Sequence, residues 1–284
     1  MFWHIDVRSD GLSRKAFFIA WCSWFAADGI TSSLVGEGVS WSARKLPDVK
    51  EVNWKDDRIV TPTRDQKSCQ CCWAIVAADV ITSHWKKYKD SNISYSPQYL
   101  LDFYDLDRRG DEFTNCFTLS INKAFDWIVE NGISQEDDYP FLAMRQKPPP
   151  ILKPPKYQPI ESFKVIPDSD NSRRELLMAV KEHLVAAAML VDLEFRYWTG
   201  WEIYSGPTKF PAEIGGAHAV QVIGFGRDES QQKDFWYILS SWGSDWGVGG
   251  IARVDRSILT VSTYRNEPTP LVYRASYPLL VDDE

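Results

Sequence analysis

Along Cys72-Trp-Ala-Ile-Val-Ala-Ala-Asp-Val-Ile-Thr-Ser-His-Trp-Lys-Lys87, Trp73, Val76, Ala77, Val80, Ile81 and His84 recur at helical spacing. That period predicts an amphipathic helix, and Lys86 and Lys87 suit the negative end of its dipole. A second helix is expected over Ser96–Leu101, where a capping serine precedes proline at the first helical position. A third is expected over Ile121–Glu130, stopped by Asn131-Gly132, and a fourth over Arg174–His183. Between the third and the fourth, Lys147-Pro-Pro-Pro-Ile-Leu-Lys-Pro-Pro-Lys156 places five prolines in eight residues. Neither a helix nor an internal strand continues through such a run, so it reads as a stiff, extended crossover. Beyond it come short β-like stretches: Val185–Leu193, Ala219–Gly224, Phe235–Leu239, Gly250–Val254 and Leu271–Tyr273. A helical first half and a β-rich second half predict an α+β protein of two subdomains.

Residues 1–45 are harder to read. A twelve-residue apolar run, Ala16–Ala27, follows Arg14 and Lys15 and has the length of a signal-peptide core. Asp6 and Asp10 sit ahead of it, where such leaders are rarely acidic. A signal-like leader, a truncated pro-region, a buried helix and a gene-model artefact all stay open. From Leu46-Pro47 the chain reads as an ordinary globular start.

Composition narrows the function classes. With 284 residues the chain is long enough for two domains or one large one, and 44% apolar with 25% charged residues excludes wholesale disorder. A net charge of −7 argues against nucleic acid or an anionic membrane surface as partner. No apolar run reaches the length of a transmembrane helix. The five cysteines are Cys22, Cys69, Cys71, Cys72 and Cys116, an odd count that leaves a free thiol if any bridge forms. They lack the second ligand pair of a zinc site, and no metal is expected. Buried apolar cysteines, one disulfide and a reactive thiol remain as readings.

Cys72 stands out because it opens the first predicted helix, just after the polar loop Arg64–Ser68. Helix-terminal amides and the macrodipole favour a thiolate there. A thiolate needs a proton partner, and the chain has only His4, His84, His183 and His218. His84 lies three turns down the same helix, and His183 ends another. His218 sits in Gly215-Gly-Ala-His-Ala-Val220, where a loop enters a strand, a usual place for a functional group.

Taken in order, Gln66-x5-Cys72-Trp73-Ala74, then His218-Ala-Val, then Ser241-Trp242-Gly243-x2-Trp246-Gly247 resemble the papain-like cysteine proteases. The resemblance runs from about Leu46 to Tyr277. Val60-Thr-Pro62, Ser96-x-Gln98, Asn131-Gly132-Ile133, Gly224-Phe225-Gly226 and Ala275-Ser276-Tyr277-Pro278 add to it. It implies a two-lobe fold: a helical left lobe over 46–150 carrying the nucleophile, a β-barrel right lobe over 151–284 carrying the histidine, and the cleft between them. It implies Cys72 as nucleophile, His218 as its ion-pair partner and Gln66 as an oxyanion donor, with Trp242 shielding the histidine and lining the substrate site. It also implies a Cys69–Cys116 disulfide and no cofactor. A peptide or protein substrate, cystatin-type inhibitors as further partners, a monomer, and a lysosomal, vacuolar or extracellular location follow from the same likeness.

Several positions depart from the family pattern. Ser240 stands where the family has an orienting Asn, and its short hydroxyl is expected to reach the imidazole only through water. Thr118 and Leu119 follow Cys116-Phe117 in place of glycines and are expected to crowd the substrate subsites. Lys67 and Gln70 replace loop glycines, so any left-handed backbone there would be strained. The leading reading is a cysteine peptidase, its activity reduced or lost if these changes weigh heavily. The alternative is an inactive homologue that binds peptides or proteins in the cleft.

Overall fold

The computed structural model describes residues 51–147, 154–168, 172–207, 214–262 and 265–282. The apolar run of the N-terminal segment and the middle of the proline-rich crossover lie outside the described residues.

Three helices dominate the first half: α1 (Cys72–Lys89), α2 (Pro97–Phe103) and α3 (Ile121–Asn131). Ser96 caps α2, its side chain accepting from the Tyr99 N–H at 3.0 Å, with Pro97 in the first turn as the sequence predicts. Helix α1 does more than its period suggests. Every residue from Cys72 to His84 is buried, because α2 and α3 pack on it along with the sheet of the second half. A helix covered on all sides behaves as a core element rather than an amphipathic one. Asp79 lies buried within it and is paired with Arg64 at 2.9 Å, while Arg64 also reaches Glu136 at 3.0 Å. A carboxylate so deep requires such a partner.

The strands are β1 (Val52–Asn53), β2 (Ile160–Val165), β3 (Val185–Asp192), β4 (Ile203–Tyr204), β5 (Ile214–Asp228), β6 (Lys233–Leu239), β7 (Ile251–Asp255), the hairpin β8 (Leu259–Ser262) with β9 (Arg265–Pro270), and β10 (Val272–Leu280). Helices α4 (Ser172–Glu182) and α5 (Leu193–Arg196) flank β3. The main sheet runs β2-β10-β3-β5-β6-β7-β4, antiparallel except for the β4–β7 pair, and β1 joins β5. That pairing takes the first strand among the described residues, from the half expected to be helical, across to the sheet. Gly224 permits it, since a Cβ there would stand 2.1 Å from the Val52 carbonyl oxygen.

Alternation along β3 explains how the two halves meet. Ala186, with Ala219 of β5, belongs to the core around α1, whereas Val185, Ala187 and Met189 belong to the core of the sheet half. Successive side chains point to opposite faces, so these strands are covered on both sides. Alanines on the helix side let α1 lie close against the sheet.

Candidate active site

A short backbone pairing assembles one wall of the site. Asp65 and Trp242 form an antiparallel bridge, the Gln66 N–H donates to the Ser241 carbonyl at 2.8 Å, and the Gly243 N–H donates to the Arg64 carbonyl at 3.0 Å. Gly243 carries φ +85, and a Cβ on it would press within 3.2 Å of the Asp65 carboxylate, so glycine suits the position twice over. This pairing orients the Gln66 carboxamide. Its Oε1 accepts from the Ser241 hydroxyl at 2.6 Å, and its Nε2 donates one hydrogen to the Cys69 carbonyl at 2.8 Å. A primary amide has a second N–H to offer.

Cys72 is the first residue of α1, and its neighbour Cys71 occupies the cap position. Cys71 is fully buried, and burial pushes its thiol well above the ordinary range. Such a sulfur is inert, which leaves Cys72 as the reactive candidate of the pair. Cys69 is bonded to Cys116, as the resemblance implied, and the bridge ties the loop before α1 to the segment Phe117-Thr118-Leu119. The Trp73 indole strengthens the same link by donating to the Phe117 carbonyl at 2.7 Å.

His218 sits on β5, paired with Met189 of β3, and is only 3% exposed. Its ring lies parallel to the Trp242 indole, with centroids 4.2 Å apart and planes inclined by 15°. The Arg196 guanidinium lies 4.6 Å over the same indole, and Phe195 and Trp246 meet it edge-on. His218 Nε2 is 3.0 Å from the Ser240 hydroxyl. This direct contact corrects the expectation of a bridging water. Ser240 follows directly on β6, which is hydrogen-bonded to β5, so the backbone itself brings the short side chain within reach. With Nε2 engaged, the remaining ring nitrogen, Nδ1, is the one left for chemistry in the cleft.

Cys72, His218, Thr118 and Leu119 line one cavity, together with Ile121, Ala188 and Arg274. Ala188 is the one partly open residue among the five that begin at Ala186 on β3 and end at Leu190, and it faces this space. Lys67 has φ +54, the left-handed conformation that the missing glycine would have adopted freely, while Gln70 does not. The Lys67 N–H donates to Asp65 Oδ1 at 2.8 Å and its ammonium pairs with the same carboxylate, which offsets part of the strain.

The other described histidines stand apart from the cavity. His84 Nε2 is 2.9 Å from the Leu184 carbonyl oxygen, and its ring stacks on His183 at 5.5 Å. His183 stacks in turn on Tyr277 and meets the Tyr88 hydroxyl at 2.9 Å. Burial pushes the His84 pKa down to about 3. Sequence reasoning missed Arg196 and Arg274. A lone arginine in a β-rich stretch carries no signal of where it points.

Solved structures share this architecture. The bromelain protease from Ananas comosus, solved in complex with the E64 inhibitor, superposes with a TM-score of 0.63 at 25% identity, covering 82% of this chain and 100% of that one. The proform of Amb a 11, a ragweed pollen cysteine protease, gives 0.65 at 24% identity, over 85% and 67% of the two chains. The arrangement is thus the two-lobe α+β fold of the papain-like proteases. The pattern described as papain family cysteine protease matches residues 48–269, and the chain belongs to that family. It is 29% identical to fruit bromelain of Ananas comosus over 224 residues, or 75% of this chain and 56% of that protein. It is 30% identical to procathepsin L of Felis catus over 213 residues, or 72% and 59%. With oryzain beta chain of Oryza sativa the match spans 47% of the relative, so the chain covers about half the length of several relatives.

Proposed function

We propose that the protein is a thiol peptidase that hydrolyses peptide bonds through Cys72 and His218. The observation that carries this reading is that Cys72 and His218 line one cavity, with His218 held from behind by the Ser240 hydroxyl and stacked on Trp242. The helix-start position favours the Cys72 thiolate, and an adjacent imidazolium favours it further. The thiolate attacks the scissile carbonyl. The tetrahedral oxyanion accepts hydrogen bonds from the Cys72 N–H and from the second Nε2 hydrogen of Gln66. His218 then gives its Nδ1 proton to the departing amine, leaving an acyl-enzyme. The neutral imidazole next takes a proton from water, and the resulting hydroxide equivalent hydrolyses the thioester, expelling the Cys72 thiolate and restoring the thiolate–imidazolium pair.

Ser240 acts here as a positioning residue. In the imidazolium both nitrogens carry hydrogens, and the hydroxyl accepts from Nε2. A hydroxyl can also donate, however, so it holds the ring in place without selecting one neutral tautomer. The role assigned to Ser240 therefore predicts slowed rather than abolished turnover.

A second reading is supported by Thr118 and Leu119, whose side chains occupy space in the cavity: the protein binds peptides or proteins there without cleaving them. Alkylation of Cys72 by iodoacetamide across pH, mapped by mass spectrometry, separates the two. Under the peptidase reading the rate is already on a plateau near pH 5 and collapses in His218→Ala. A rate that rises only above about pH 8, as for an unperturbed thiol, overturns it. Family resemblance supports a lysosomal, vacuolar or extracellular working environment for this reading, with peptide substrates and cystatin-type inhibitors as the proposed partners. Among the described residues no helix is long and apolar enough to cross a membrane.

A further inference from the structure

We propose that Asn92 carries an N-linked oligosaccharide, attached where the chain leaves α1 and clear of the cleft. The inference rests on the lysosomal, vacuolar or extracellular environment of the proposed function and adds a modification site to it. It does not depend on the chemistry of Cys72.

Asn92-Ile93-Ser94 is the only place in the chain where an asparagine is followed by a residue other than proline and then by Ser or Thr. That triplet is the acceptor for asparagine-linked sugar, and its use requires a surface loop in a protein that enters the secretory route. The Cys69–Cys116 disulfide speaks for the route, because structural bridges form and persist in oxidising compartments. The transfer itself is redox-neutral. The carboxamide nitrogen displaces pyrophosphate from the first sugar carbon of a lipid-linked oligosaccharide, so a C–N bond forms as a C–O bond breaks. The nitrogen gives up one proton to a base of the transferase, and the lipid pyrophosphate departs.

The loop meets the other requirement. The triplet lies outside helix and strand, and Asn92 is exposed. Its neighbours fix the turn around it. Asp90 takes the left-handed cap position of α1 and donates its N–H to the Trp85 carbonyl, which the Ser91 N–H also reaches at 3.4 Å. The Ser91 hydroxyl accepts from the Ile93 N–H at 3.2 Å, and Ile93 packs against the core around α1. Beyond the asparagine, the Glu136 N–H donates to the Ser94 carbonyl at 2.8 Å, and the Tyr95 N–H donates to the Thr82 hydroxyl at 2.9 Å. Each of these anchors belongs to a neighbour, so the turn holds while the Asn92 carboxamide faces solvent. Distance keeps a sugar there away from the substrate. Cys72 opens α1 and Asn92 follows its far end, and 18 helical residues at about 1.5 Å each put the two about 27 Å apart.

The test is translation of the full chain in the presence of rough microsomes, with protease protection to report entry. Digestion by peptide N-glycosidase in heavy-oxygen water, followed by mass spectrometry of the peptides, reports the sugar and its position. The protected chain is expected to show a single glycosidase-sensitive shift and a heavy-oxygen label at position 92. Asn92→Gln and Ser94→Ala should each abolish the shift, and Ser94→Thr, which keeps the hydroxyl, should retain it. A protected chain without sugar, or a shift that survives Asn92→Gln, overturns the proposal and leaves the secretory reading standing. A chain left outside the microsomes counts against that reading instead, and the same full chain behind a cleavable signal peptide then decides the site. Sugar at Asn92 in that protein supports the proposal, and its absence overturns it.

Discussion

Acid should destabilise this fold through His84, by an amount that can be worked out. The ring is buried in α1, hydrogen-bonded to the Leu184 carbonyl oxygen and stacked on His183, with Lys87 one turn away. Burial is the largest influence and holds its pKa near 3, against 6.5 for the free side chain; the Leu184 bond opposes the shift, and the charges of His183 and Lys87 add to it. Above pH 6.5 the residue is neutral in both states and costs nothing. As pH falls through 6.5, the unfolded chain takes up a proton that the folded one refuses until about pH 3, so stability is lost across that window. By pH 5 the loss amounts to about 2 kcal/mol, since each unit of pKa difference is worth about 1.4 kcal/mol and one and a half units have been crossed. His84→Gln keeps a donor for Leu184 and does not titrate. Urea unfolding followed by circular dichroism, in a Cys72→Ala background that prevents self-cleavage, measures both proteins at pH 7.5 and pH 5. The histidine protein should lose about 2 kcal/mol more than the glutamine protein between those conditions. Equal losses would refute the assignment of the buried, neutral ring. His183 is also lowered by burial and contributes its own slope, but it is present in both proteins and cancels in the comparison.

Ser240→Ala should lower kcat/KM about fivefold by removing a hydrogen bond worth about 1 kcal/mol, and Ser240→Asn should raise it above the natural protein by fixing the tautomer; steady-state hydrolysis of a peptide substrate checks both. Replacing Cys69 and Cys116 together by Ala should cost about 4 kcal/mol, because the bridge closes a separation of 47 residues, and the same urea titration reads it. Lys67→Gly should raise the melting temperature, by up to about 1 kcal/mol of added stability, because relief of the left-handed backbone exceeds the glycine entropy cost; a lower melting temperature would mean that the Lys67–Asp65 contacts outweigh the strain.

The site was more legible in the sequence than the sheet that carries it. Gln66, Cys72, His218 and Trp242 could be singled out as candidates because their order and spacing are unusual, and each has a distinctive chemistry. Ser240 was located but its reach was misjudged, since the distance between two strand ends is a property of the sheet. Helix α1 announced itself by period, yet its complete burial did not, because that depends on Ala186 and Ala219 offering a shallow surface from more than a hundred residues away. Asp79 held the one clue: a carboxylate inside an apolar helix demands a cation, and Arg64 is that cation. Strand β2 was missed because Glu161 and Lys164 interrupt its apolar character, and only its pairing with β10 defines it. The expected strand at Leu271–Tyr273 was cut short at Arg274, where a β-bulge interrupts the pattern and β10 then continues to Leu280. The φ of +48 at this arginine leaves no trace in composition or periodicity.

The contact between Gln66 and Ser241 closes a loop of 175 positions, and His218 depends on β3, β5 and β6 having found their register. Loop closure over such separations is slow, and non-local strand pairing falls late in folding. Under the peptidase reading, a chain being synthesised therefore carries Cys72 long before His218 is in place beside it. In refolding, the rapid alkylation of Cys72 at low pH should return only with the last kinetic phase. On the proposed mechanism, topology alone withholds that chemistry from the unfinished chain until the phase is complete.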